Sequence, residues 1–155
     1  MAIYLKHPKI PGSVTHASYK DWVEVSSARW EVGRCIANHV GSAKNREASE
    51  PWAGEITFQR TVDVCTPRIL EHATKVKEAY DVELVCVASG NNEYLRLTLR
   101  NAMLSCQHGQ LTGQGDDREE FHIAYTKLDM KFTPRDKDNK PGSPIIGSFD
   151  LEVAG

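Results

Sequence analysis

In the stretch Tyr94-Leu-Arg-Leu-Thr-Leu-Arg100, Leu95, Leu97 and Leu99 share one parity, while Tyr94, Arg96, Thr98 and Arg100 share the other. Successive side chains of an extended backbone point to opposite faces, so this stretch is a half-buried strand with one apolar and one polar face. Asp81–Ser89 repeats the pattern, which places Val82, Leu84, Cys86 and Ala88 inward and Glu83 outward. Between the two, Gly90-Asn91-Asn92 accepts positive φ, and the pair reads as a hairpin. Tyr19–Val25, Ala28–Arg34, Glu55–Arg60 and Phe149–Val153 read as further strands. Across Glu119–Thr133 the apolar parity switches from Phe121, Ile123 and Tyr125 to Leu128, Met130 and Phe132. A strand changes faces only by gaining a residue, which predicts a bulge or bend near Thr126-Lys127.

One segment reads as a helix. Thr66 is placed to cap it, Pro67 suits its first turn, and Ile69, Leu70 and Ala73 follow at helical spacing, for about 10–13 residues in all. Many strands and one helix imply a mainly β fold: a compact β-barrel of two packed sheets, one short flanking α-helix and an extended loop. That loop, Ile36–Ala53, is rich in Asn, Ser, Ala and charge. Loops of such length are usually functional or disordered. Gln107–Asp117 and Pro134–Pro144 read as a polar loop and a hairpin tip. No linker divides the chain, so residues 1–155 are expected to form a single domain.

Composition narrows the function. Nineteen Lys and Arg against 21 Asp and Glu leave a formal charge of -2, which gives no reason to expect a nucleic-acid partner. No apolar run is long enough for a membrane helix, so no membrane insertion is expected. The stretch Met1–Pro8 has no apolar core of signal-peptide type, and cytoplasmic synthesis is expected. Cys35, Cys65, Cys86 and Cys106 form no Cys-x-x-Cys pair and read as reduced thiols, Cys86 and Cys106 as small core residues.

The search for chemistry is negative, and neither catalysis nor a cofactor is expected. The histidines at 7, 16, 39, 72, 108 and 122 form no close pair and are expected at the surface, with no metal site. Gly109–Gly115 lacks the Lys-Ser or Lys-Thr of a phosphate loop. Asp136–Lys140 has Lys at the fifth position, and Pro141 stands where a calcium loop needs Gly. Glu119 and Glu120 must face opposite sides of a strand and cannot act as an acid/base pair.

Two stretches carry a family resemblance. One runs from Thr15 to Arg34 and contains Tyr19-Lys-Asp-Trp22-Val-Glu24 and Trp30. The other runs from Gly54 to Leu70 and contains Glu55-Ile56, Asp63 and Thr66-Pro67, with Asn45-Arg46-Glu47 in the loop between them. Together with the terminal Ile146–Asp150 stretch, their order resembles the Hcp (haemolysin-coregulated protein) family, the inner-tube subunit of type VI secretion. Cys35, Cys65 and Trp52 depart from the family pattern.

The resemblance implies a homo-hexameric ring that stacks with other tube rings inside a contractile sheath. It also implies spike-tip and baseplate partners, effector proteins carried in the lumen, and export without a signal peptide. It further implies that the Ile36–Ala53 loop reaches the adjacent ring, making Arg34, Asn45, Arg46, Glu47, Glu50 and Trp52 candidate stacking residues. Tyr94, Arg96, Thr98 and Arg100 are candidates for lumen or subunit contacts. Trp22 and Trp30 are expected to pack structurally, as is Trp52 in the alternative to its stacking role. Three rivals are a phage-type tail-tube protein, an effector with a barrel fold and a monomeric ligand-binding barrel.

Overall fold

The computed structural model describes residues 1–38, 40–41 and 47–153, with Glu47 as backbone only. Strand β1 (Ala2–Lys6) is followed by a 3-10 turn at Ala17–Tyr19, then by β2 (Val23–Val25) and β3 (Ser27–Arg29). Four two-residue strands come next: β4 (Val32–Gly33), β5 (Ile36–Ala37), β6 (Glu47–Ala48) and β7 (Trp52–Ala53). Strand β8 (Ile56–Thr61) leads to helix α1 (Thr66–Thr74), β9 (Tyr80–Ala88) and the long β10 (Asn92–Gln110). Strands β11 (Arg118–Ala124), β12 (Lys127–Phe132) and β13 (Ile145–Asp150) complete the fold.

Strand β10 organises the molecule because it belongs to both sheets. Its first half pairs with β9 and β12, and its second half pairs with β11. At the junction Asn101 adopts φ 52°, and the register against β9 breaks between Leu99 and Ala102. Asn is among the few side chains that tolerate this left-handed backbone. The buried parity switches there, from Leu97 and Leu99 to Ala102 and Leu104. The partner segment changes sheets at the same level: β11 ends at Ala124, β12 begins at Lys127, and the Thr126 N–H donates to the Arg100 carbonyl at 3.1 Å. The bend expected near Thr126-Lys127 is therefore present, as a break between two strands.

The resulting sheets, β2–β1–β9–β10–β12–β13 and β10–β11–β8–β3, close on one core. Phe58 and Phe121 stack across it with ring centroids 5.1 Å apart, among fully buried Ile56, Ile123, Leu84 and Leu97. At the second corner the chain steps from β2 through Ser26 into β3, and the Ser26 N–H donates to the Gln59 carbonyl at 2.7 Å. The hydrogen-bonded strand path is thus open, from β2 to β3, and not a closed ring. Beside Ile69, Leu104 and Phe121 the interior void is about 10 Å3, room for one water at most. An interior filled in this way leaves a ligand-binding barrel no room there.

Several expectations need correction. Tyr19–Val25 is not one strand: Tyr19 closes a 3-10 turn, Asp21 sits at φ 64°, and only Val23–Val25 is extended. This segment folds over the outer side of β9, where Val85 and Val87 are buried against Tyr19 with Val14 and Trp22 alongside. That end of β9 is therefore covered on both faces. Helix α1 is nine residues long, and the Thr66 hydroxyl does not cap it. It accepts from the Asp63 N–H at 3.1 Å and donates to Glu119 Oε1 at 3.0 Å. Ile69 alone anchors the helix deeply, while Leu70 points outward. The last strand covers Ile145–Asp150 and not Phe149–Val153, since Asp150 turns the chain by accepting from the Glu152 N–H at 2.9 Å. The 134–144 tip is closed by Asp136, whose Oδ1 accepts from the N–H groups of Asp138 and Lys140, each at 2.9 Å.

Candidate assembly surfaces

The segment expected as a long loop doubles back as a narrow two-stranded ribbon. Val32 and Gly33 pair with Ala53 and Trp52, and Ile36 and Ala37 pair with Ala48 and Glu47. Between these ladders the Ser49 N–H donates to the Cys35 carbonyl at 2.8 Å, and the Cys35 N–H donates to Ser49 Oγ at 2.9 Å. At the root the Gly54 N–H donates to the Glu31 carbonyl at 2.8 Å. The expected strand Ala28–Arg34 is accordingly split into β3 and β4 by Trp30 and Glu31. The Trp52 ring lies on Gly33 so closely that a Cβ there would come within 2.9 Å of it and the ring would have to shift.

The ribbon carries much exposed apolar surface. Trp52 is 43% exposed, Ile36 48% and Val32 45%. Trp30 is 40% exposed and so only partly covered, whereas Trp22 meets Tyr19 edge-on at 5.1 Å. Trp52 likewise lies on the ribbon and not in the core. Arg34 and Glu50 are exposed at the ribbon base. There, with Ser49 and Pro51, they line an open groove of about 460 Å3 whose other wall is Phe149 and Asp150 of β13. Asn45 and Arg46 lie outside the described residues, and Glu47 contributes backbone to β6. Strand β13 is a second apolar surface: among the described residues it pairs only with β12, and Ile145 and Ile146 are each about two-thirds exposed.

The four candidates on the outer face of β10 are spread along one polar strip. Arg96 is held by Glu93 at 2.6 Å and Glu83 at 3.3 Å. Arg100 meets Asp81 at 3.0 Å and Asp129 at 3.7 Å. Thr98 sits between Glu83 and Asp129 in the ladders, and Tyr94 approaches Phe132 edge-on at 6.5 Å. Both arginines are thus already engaged within the chain.

Sequence reasoning missed a buried polar network beneath these surfaces. Arg60 and Glu119 are both 3% exposed and bonded to each other. Arg60 also meets Asp63 Oδ2 at 2.6 Å and donates to the Glu24 carbonyl at 3.3 Å, tying β8 to β2 at the open corner. Glu119 accepts from Thr66 and, at 2.7 Å, from Gln107 Nε2. Burial opposes the Arg60 charge, but the hydrogen bonds it donates to Asp63 and Glu119 outweigh burial and raise the Arg60 pKa. Asp63 is lowered, its own partial burial outweighed by Arg60. A signal for the pair existed: Arg60 shares parity with buried Ile56 and Phe58, and Glu119 with Phe121 and Ile123. Glu120 faces outward, as alternation requires.

The thiols and His7 also divide between body and surface. Cys65 is fully buried and donates to the Pro11 carbonyl at 3.4 Å; burial, then Asp63, pushes its thiol up to about 11. Cys86 is buried as expected, Cys106 only half-buried, and Cys35 is exposed on the ribbon. His7, contrary to expectation, is buried edge-on to His72 and Tyr80, at 4.8 and 5.3 Å.

These features define a mainly β protein of two packed sheets, with one helix and an exposed apolar ribbon. The chain belongs to the Hcp family of type VI secretion: the model of that family, described as type VI secretion system effector, Hcp, matches residues 4–132. Hcp is a structural secretion family and not an enzyme family. Solved structures share the fold across nearly the whole chain. One described as a type six secretion system protein superposes with TM-score 0.92 at 18% identity, over 99% of this chain and 98% of its own. Hcp1 from Salmonella typhimurium gives TM-score 0.81 at 19% identity, over 99% and 96%. A type VI secretion system effector from Yersinia pestis gives 0.76 at 16% identity, over 96% and 98%. No curated protein matches the sequence significantly.

Proposed function

We propose that residues 1–155 form a single tube domain, and that six copies close head to tail into a ring that stacks into the inner tube of a type VI secretion system. Head-to-tail closure requires two different patches on each subunit. The observation that carries this reading is the concentration of exposed apolar surface on the ribbon and on β13. An apolar strand with one open edge invites pairing with another chain, and a stable monomer would normally blunt it. In this reading β13 serves the ring, and the ribbon reaches the next ring through Arg34, Asn45, Arg46, Glu47, Glu50 and Trp52.

The engaged arginines of β10 make Tyr94, Arg96, Thr98 and Arg100 a preorganised polar wall facing the lumen or a neighbouring subunit. Effectors ride in that lumen. A contracting sheath drives the tube, with its spike tip, off the baseplate and out of the cell, so cytoplasmic synthesis needs no signal peptide. The subunit performs no catalysis in this role.

Light scattering on purified protein at micromolar concentration tests the ring. The expected mass is six times the 17.3 kDa chain, with six-fold rings in negative stain. A 17.3 kDa monomer persisting to high micromolar concentration refutes the ring.

A further inference from the structure

Histidines far apart in sequence meet on the outer face of the second sheet. Between Leu104 and Cys106 the β10–β11 register shifts, so that Leu104 pairs with Ile123 but Cys106 with His122 and His108 with Glu120. The extra residue, Ser105, reverses the parity of β10: Gln107 turns inward to Glu119, and Cys106 and His108 turn outward. Outward parity also belongs to Glu120 and His122 on β11, because Glu119, Phe121 and Ile123 face the core. The bulge thus sets two outward residues of each strand against each other, as a two-by-two patch of Cys106, His108, Glu120 and His122.

Within this patch, ligand atoms of His108, Glu120 and His122 all lie within 4.8 Å of one another. His122 Nε2 is 3.0 Å from Glu120 Oε1, and its Nδ1 is 3.3 Å from Glu55 Oε2. A neutral imidazole has one N–H and can satisfy only one of two carboxylates. A metal cation at Nε2 leaves the one N–H on Nδ1, on the side of Glu55. Glu55 on Nδ1 is also the outer partner that orients a metal-binding histidine and fixes its tautomer. Gln59 Nε2 holds the second oxygen of Glu120 at 3.1 Å, leaving Oε1 for the shared centre. Cys106 Sγ stands 3.1 Å from His108 Nε2. Glu120 and Gln59 separate two open clefts of about 490 and 430 Å3, so a cation has access from either side.

We propose that His108, Glu120 and His122 bind a divalent transition-metal cation of the zinc class, with Glu55 as the outer-shell partner of His122. Two imidazoles and a carboxylate are a zinc donor set, and they leave a fourth position for water or the Cys106 thiol. Tetrahedral zinc at 2.0–2.1 Å from its ligands sets them about 3.3 Å apart. The ligand atoms, within 4.8 Å of one another, lie on exposed and half-buried side chains. All these groups belong to one chain, so the site does not depend on ring formation.

Calorimetric titration of the purified chain with zinc chloride tests the site. One saturable site per chain is expected. His108→Ala and His122→Ala should each weaken it more than about 10-fold, and Glu55→Gln by about 10-fold, as outer-shell losses usually do. His16→Asn, remote from the patch, should leave the affinity unchanged. Zinc should raise the melting temperature of the parent chain but not that of the His108→Ala/His122→Ala double variant, whose circular dichroism must match the parent's. Absence of saturable binding overturns the proposal, as does binding of equal strength in a folded double variant.

Discussion

The sheet body and the ribbon are built from the same kinds of residue and answer opposite demands. In the body, apolar parity is kept over long strands, and one core holds Phe58, Phe121, Ile56 and Ile123 dry. Two of its charges are spent inward as well, with Arg60 and Glu119 bonded to partners on β2, β10 and α1. The ribbon instead is two ladders of two residues each, with Trp30, Val32, Ile36 and Trp52 in solvent. Two-stranded ribbons are marginal alone, and large exposed apolar groups mark interaction surfaces. The difference teaches where the chain buries its apolar side chains by itself and where it leaves them uncovered.

The contrast breaks first at Glu119. Glu119→Ala removes a buried partner and strands the Arg60 charge, so unfolding free energy should fall by about 3–5 kcal/mol in urea denaturation. A loss below about 1 kcal/mol would place the pair outside the body's stabilising core.

Acid should produce a somewhat smaller effect, through His7. Burial, and secondarily His72, lowers the His7 pKa from 6.5 to about 4. Between those values the unfolded chain binds the proton that the folded chain refuses, so stability rises with pH across this window. Stability from His7 is complete above pH 6.5 and is lost as pH falls towards 4, by roughly 3 kcal/mol for this group. His7→Gln should flatten the pH dependence between those limits; an unchanged slope would assign it to other groups.

What the sequence disclosed follows the same division. Alternation is visible where strands are long and one-sided, so Leu95–Leu99, Phe121–Ile123 and the parity switch before Leu128 were legible as strands and a bend. The matching bend in β10 went unseen because its second half, with Gln107, His108 and Gly109, has the composition of a loop while pairing residue by residue with β11. Ladders of two residues are too short to show any period, so the ribbon read as a loop. Arg60 and Glu119 obeyed inward parity, but their charge argued for solvent, and only the partner across the strand makes their burial tolerable. His108 and His122 met for a similar reason: 14 residues apart in sequence, they become neighbours through a hairpin and a bulge.

Removal of residues 44–49, which takes out β6, should have the smallest effect on the body, with unfolding free energy within about 1 kcal/mol of the parent. It is also the most direct test of the ribbon as the joint between rings. The account predicts that the deletion chain keeps the hexamer mass in light scattering and is no longer exported by a sheath-competent cell. Loss of the hexamer, or export at the parent level, would contradict it.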